Sequence, residues 1–323
     1  MSAWLSFFLL IPLLAANLAS AAPVGGYKVD VKYLRENIKT CSPSLLKDEI
    51  EYFKKLSGRV LIDYEIQMAG ASMVDFALLQ EDNLCRVGLL KNSVIVLTEY
   101  LRAAPQGGFE LAESKMDIAR AKIILASFYS EKDQSGDYGE ADVLIEQYLK
   151  EGKVDAEGVL ATPYYFAANG YLDAAGLVSG EKKIGLLNNA ISVAKRGKEK
   201  VFSKKQRSEL SELMIAAMIE KKKYYQKNSP EYKNNLNELI ALWEERFDDG
   251  DAESGYNAAV GFALLEDAAN AKIWLQRVAE RNVDYKICGG LFFNADLDWL
   301  RLSDPDWMVD YMMAYCRNTT SRQ

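Results

Sequence analysis

The 323-residue chain contains no histidine. Ser-His-Asp and Cys-His catalysis, His-ligated zinc and the usual proton shuttle near neutral pH are therefore excluded, and any enzyme here has to work with carboxylates, Lys, Tyr or Cys. Proline is scarce, at seven residues, and convincing alternating apolar-polar runs between Asn-Gly or Asp-Gly turns are lacking, which argues against a sheet protein. There is no CxxC pair and so no support for a thioredoxin-like redox role. There is also no Gly-rich phosphate loop and no Walker-type lysine. Excess positive charge is missing too: a net charge of -7 and a pI near 5.0 give no general electrostatic basis for wrapping nucleic acid or docking on an anionic membrane. What is present, 49% hydrophobic and 26% charged residues, is enough for a substantial core and excludes disordered and collagen-like classes.

The N-terminus carries the clearest functional signal. "MSAWLSFFLLIPLLAANLASAAPVGG" has an apolar run through Leu5 to Leu14, then small residues ending in Ala19-Ser20-Ala21. That order predicts an export signal cleaved after Ala21. The competing reading is an uncleaved anchor, since Ala3 to Ala22 is long enough to span a bilayer; Pro12 and the Ala/Ser-rich tail favour the signal. On the signal reading the protein is periplasmic or secreted, with no membrane insertion beyond that segment. Its four cysteines, Cys41, Cys85, Cys288 and Cys316, then reach an oxidising compartment, and an even number implies two disulfides. Three connectivities are open. Proximity in sequence favours Cys41 with Cys85 and Cys288 with Cys316; buried free thiols are the alternative.

Helical periodicity dominates the rest. "PSLLKDEIEYFKKLSGR" places Leu46, Ile50, Phe53 and Leu56 on one face and stops near Gly58; "NSVIVLTEYLRAAPQGG" stops at Pro105. A small residue recurs where each helix would approach a neighbour: Ser93 beside Leu97 and Tyr100, Ala141 beside Leu144, Ile145 and Tyr148, Ala190 beside Ala194, and Ala271 beside Leu275 and Val278. These anchors are 48, 49 and 81 residues apart, and the last gap has room for one more pair within "SELMIAAMIEKKKYYQKNSPEYKNNLNELIALWEERF". Helix pairs at such spacing bury their apolar faces only by stacking on one another, which predicts a solenoid; a non-repeating bundle is the alternative.

Within this pattern, "YNAAVGFALLEDAANAKIWLQRVAERN" resembles a degenerate tetratricopeptide repeat, in particular the closing repeats of such arrays. Tyr256, Asn257, Ala259, Phe262, Ala263, Leu264, Leu265, Asp267, Ala271, Trp274 and Leu275 carry the likeness. The following "FFNADLDWLRLSDPDWMVDYM" is similar to the family's terminal segment through Asp296, Leu297, Leu300, Arg301, Asp304 and Pro305. Glu266 departs from the pattern, because the family places Gly in that turn. The resemblance implies an all-α, right-handed superhelical solenoid of antiparallel helix pairs over residues 22–323, with an end repeat at about 254–316, following a signal peptide at 1–21.

Few residues suggest chemistry. "DQSGDYGE" alternates Asp133, Ser135, Asp137 and Glu140, faintly like a calcium loop, but lacks the Gly at the sixth and the Glu at the twelfth place; it reads as a polar turn capping the next helix. "RFDDGDAESG" clusters Asp248, Asp249, Asp251 and Glu253, which suits carboxylate hydrolysis or, equally, capping of the helix that follows. The run Ala194 to Arg207 holds seven Lys or Arg against one Glu, a solvated helix end or else an anion patch. Asn318 in "NTT" is a glycosylation acceptor if the source is eukaryotic. Binding candidates are Tyr164, Tyr165, Phe166 and Tyr171 in "PYYFAANGY", a short Tyr-rich stretch between Pro and Gly; aromatics of a solenoid serve as concave-face anchors or fill the groove between helices. These observations predict a non-enzymatic scaffold or adaptor of the cell envelope, or an immunity protein against a periplasmic toxin, binding another protein without cofactor, metal or nucleic acid. The alternative is a carboxylate-dependent hydrolase acting on an envelope polymer.

Overall fold

A computed structural model describes residue 41 and residues 63–103, 109–128, 139–141, 143, 162–201, 203–281 and 285–316. The export signal, the helix expected after Pro43, the polar turn at Asp133, Ser135 and Asp137, the stripe residues Leu144, Ile145 and Tyr148, and Asn318 lie outside these residues. Among the described residues every regular element is helical and none is a strand. The chain divides into two compact units, the first ending at Ala121 and the second beginning at Lys122.

The first unit contains α1 (Asp63–Leu79), α2 (Asn83–Ala103) and most of α3 (Phe109–Ala126). Three residues join α1 to α2, and the two helices meet at small residues. The Ser93 hydroxyl donates to the Gly70 carbonyl at 2.8 Å, and a Cβ added at Gly70 would lie 2.4 Å from the Leu97 side chain. Ser93 thus sits at the contact point that its spacing predicted, with Gly70 as the opposing small residue. Cys41 and Cys85 pair as a disulfide with Cα atoms 5.2 Å apart. Met116, Asp117, Ile118 and Ala119 are all buried in succession, so α3 is enclosed on every side.

The second unit runs through α4 (Thr162–Gly176), α5 (Gly180–Lys200), α6 (Lys204–Lys222), α7 (Pro230–Asp248), α8 (Ala252–Leu264) and α9 (Ala268–Arg281). The elements follow from local signals. On α5, Leu186, Leu187, Ala190, Val193, Ala194 and Gly197 form one buried stripe, with Glu181 in the first turn and Lys198 and Lys200 in the last, as the helix dipole favours. On α7, Pro230 takes the first helical position and the Ser229 hydroxyl accepts from the Tyr232 amide at 3.1 Å.

Successive helices pack antiparallel, as pairs of contacts at opposite ends show. The start of α5 meets the end of α6 through Lys183 and Glu220 at 2.7 Å. Asn235, early on α7, donates to the Met218 carbonyl late on α6 at 2.9 Å, while Arg246 near the end of α7 reaches Glu212 at 2.8 Å. Glycines make the approaches possible. A Cβ on Gly197 would lie 2.5 Å from Tyr164, one on Gly255 2.4 Å from Phe247, and one on Gly261 2.6 Å from Ile240. α4 also packs against α6, two helices along the chain.

Leu264 to Asp267 form a tight turn despite the missing glycine. The Asp267 amide donates to Phe262 O at 2.9 Å and the Glu266 amide to Ala263 O at 3.0 Å, the paired bonds of a Schellman cap. Glu266 therefore takes the left-handed conformation itself, at φ 62°. Asp267 then caps α9, its carboxylate accepting from the Asn270 amide at 3.1 Å. Phe247 and Trp274 pack edge to face at 5.2 Å, and both are buried; each is worth about 2–3 kcal/mol in area removed from water.

The unit closes with α10 (Tyr285–Phe293), a 3-10 turn (Ala295–Leu297), α11 (Asp298–Ser303) and α12 (Pro305–Tyr315). Arg301 donates to the Leu291 carbonyl at 2.7 Å and to Asn294 O at 2.9 Å, satisfying acceptors that the end of α10 leaves open. Asp304 caps α12 by accepting from the Trp307 amide at 3.2 Å, with Pro305 in the first helical position. The Tyr311 hydroxyl donates to Leu275 O at 2.6 Å, tying α12 to α9. Cys288 and Cys316 form the second disulfide, Cα atoms 5.8 Å apart, so both pairs join the cysteines nearest in sequence.

Candidate functional site

The two charge clusters legible in the sequence meet at the end of α7, where an ion pair joins them directly. Lys198, at the end of α5, pairs with Glu245 on α7; Arg207 approaches the same carboxylate at 3.9 Å, and Lys204 binds Asp249 at 2.9 Å. From the other side, Arg277 on α9 reaches Asp248 at 3.2 Å, and Arg281 donates to the Phe247 carbonyl at the end of α7. Arg281 and Arg277 also lie over the Phe247 ring, 3.8 and 5.2 Å from its centre, and Arg277 over Trp274 at 4.0 Å. Lys198, Lys204 and Arg207 of the basic run thus form a clamp on Glu245 and Asp249, between α5, α6 and the end of α7.

Next to this clamp is a cleft of about 680 Å³ lined by Lys204, Lys205, Ser208, Glu209, Glu212, Arg246, Asp249 and Asp251. Its central group is Arg246, whose Nε and Nη2 donate to Asp251 at 3.1 and 3.0 Å while Nη1 donates to Glu212 at 2.8 Å. Asp251 is the N-cap of α8, accepting from the Glu253 amide at 3.2 Å, the Ser254 amide at 3.4 Å and the Ser254 hydroxyl at 2.7 Å. Burial pushes the Asp251 carboxyl upward, yet the Ser254 hydrogen bonds and the bonds and charge of Arg246 together hold it below the usual range. It is a fixed anion in a cap. Asp248, Asp249 and Asp251 each face a cation, Arg277, Lys204 and Arg246 respectively. Among the described residues no three Cys, Asp or Glu side chains are grouped so as to hold a metal ion.

The aromatic candidates separate by burial. All four lie on α4, where Tyr164 and Tyr171 share one helical face and are 2% and 5% exposed, filling the groove between helices. Lys200 sits over the Tyr164 ring at 5.7 Å. Tyr165 is 37% exposed and Phe166 is half-buried, with the two rings edge to face at 6.3 Å. Burial removes Tyr164 and Tyr171 from the set of surface anchors; Tyr165 and Phe166 are the accessible pair.

One group had no place in the sequence reading. Asp117 on α3, in the first unit, is buried, and burial raises its carboxyl to about 7, opposed by Arg120 and assisted by Asp75 and Glu113. Arg120 is bound to Asp75 at 2.8 Å, and Glu113 accepts from Gln67 at 2.7 Å.

No protein-family model matches the chain, and no curated protein matches it.

Proposed function

We propose that this is an exported helical-repeat protein, similar to the tetratricopeptide class, whose helix pairs stack into a right-handed solenoid and bind another protein without chemistry of their own. The observation that carries the reading is the antiparallel packing of each helix from α4 to α9 on its chain neighbour, with α4 also against α6. Contact with the next helix but one is what stacked pairs make and a single isolated hairpin does not. The Schellman turn at Glu266, the Asp267 cap and the Arg301 closure add support at the residues that carry the family likeness.

Two disulfides favour an oxidising compartment, which fits the export signal read at residues 1–21 and a periplasmic or secreted protein. Tyr165 and Phe166 are the proposed anchors for the partner. An envelope-assembly adaptor and an immunity protein are both compatible with these features. The hydrolase reading is weaker, because its carboxylates are engaged as caps and ion pairs.

Affinity capture from the native cell envelope tests the proposal, using the wild type, Tyr165→Ser and Asp249→Ala/Asp251→Ala. A protein partner retained by the wild type and by the double carboxylate variant, and lost with Tyr165→Ser, is the expected result. Recovery from all three alike, or from none, contradicts it.

A further inference from the structure

We propose that α12 and the turn before it form a second docking surface, shaped for a cationic amphipathic helix of a partner protein. This rests on the protein-binding reading and adds the chemistry of a partner to it. Among the described residues α12 is covered on one side only. Met308, Tyr311 and Cys316 face inward, and the contacts of Asp304 with Lys272 and of Tyr311 with Leu275 hold that side against α9. The solvent-facing side of a helix in a folded protein is ordinarily polar. Here Val309 and Met313, one turn apart, are 48% and 45% exposed, and Leu302 just before the helix is 82% exposed. Exposed large apolar groups recur along this short segment, in contrast to the isolated ones found along α4 to α8, and such concentration marks an interaction surface.

The charge around these residues selects the occupant. From Phe293 to Cys316 there are five aspartates and one arginine, and Arg301 is already spent on Asp298 and two carbonyls. Asp306 and Asp310 are exposed on the outer side of α12, flanking Val309, and α12 itself contains no Lys or Arg. An apolar stripe bordered by fixed negative charge is complemented by a helix with apolar residues at i and i+4 bordered by Lys or Arg. The same charge repels an anionic lipid surface.

The test measures fluorescence anisotropy of a labelled amphipathic helical peptide of leucine and lysine, and of its leucine and glutamate counterpart, with the full chain. The leucine-lysine peptide should bind, more weakly as salt rises, and the leucine-glutamate peptide should not. Val309→Ser/Met313→Ser and Asp306→Lys/Asp310→Lys should each weaken binding about tenfold or more, with circular dichroism matching the wild type. Glu231→Lys/Glu238→Lys on the exposed side of α7 makes the same change in net charge and should leave binding unchanged. Equal weakening by that control means general charge attraction and overturns the proposal. So does sedimentation showing self-association that the α12 variants abolish, since the occupant is then a second copy. If the peptide fails to bind while the Tyr165-dependent partner is still captured, this inference falls and the binding reading stands.

Discussion

Replacing Asp117 with Asn should change how the stability of the first unit depends on pH. In the unfolded chain this carboxyl ionises near 3.8, and in the folded protein burial raises it to about 7. Between those values the folded state holds a proton that the unfolded state has released, so stability falls as pH rises, by about 1.4 kcal/mol per pH unit from this group. Below the unfolded value both states are protonated and the effect vanishes; above about 7 both are ionised and the full penalty is in place. Integrated over the window this is about 4 kcal/mol, an upper bound for Asp117→Asn because the amide brings donors that also need partners in a buried position. Glu113, Asp75 and Arg120 are its charged neighbours among the described residues. Hydrogen exchange of the α1 and α3 amides, compared between wild type and variant from pH 4.5 to 8, lets the affected helices report directly. The stability difference should move steadily in favour of the variant as pH rises. A difference that stays constant over that range refutes the assignment of a raised carboxyl to Asp117.

The remaining predictions concern the second unit. Glu266→Gly should stabilise the chain by about 1 kcal/mol, the left-handed penalty of a side chain less the added freedom of glycine when unfolded; an unchanged or lower urea midpoint counts against the Schellman assignment. Cys288→Ser/Cys316→Ser should cost about 3.5 kcal/mol from loop-closure entropy over the 28-residue separation, read as a lower unfolding midpoint that no longer responds to reductant at this bond. Asp251→Ala should cost about 1–2 kcal/mol through the lost cap, and should raise the exchange of the first α8 amides without altering partner capture; loss of a hydrolytic activity from a still-folded variant instead revives the enzyme reading.

How far the sequence reaches differs from residue to residue. Ser93, Ala190 and Ala271 were legible as contact points because helical spacing puts them among larger apolar neighbours, and all three are 0–1% exposed. Gly197, Gly255 and Gly261 make tighter approaches still; their presence inside helices, against intrinsic propensity, was the available clue. Tyr164 and Tyr171 were open to both readings, surface anchor and groove filler, while "PYYFAANGY" was read as a short piece bounded by Pro and Gly. Seven residues is two helical turns, so as part of α4 the two tyrosines share a face and Tyr165 turns away from it. The clamp between Lys198, Lys204 and the acids of α7 could not be read at all, because residues some 45 positions apart are brought together only by packing. Asp117 was hidden for the same reason: its burial comes from what surrounds α3 rather than from α3 itself.

The claim that matters most is that α4 presents a surface to a protein partner. A photo-crosslinking amino acid placed at Tyr165 in the native host, with a second placed at Glu238 on the exposed side of α7, tests it directly by mass spectrometry of the crosslinked products. One recurrent protein should be joined at position 165 and absent at 238. The same set of products at both positions, or no protein at either, contradicts it.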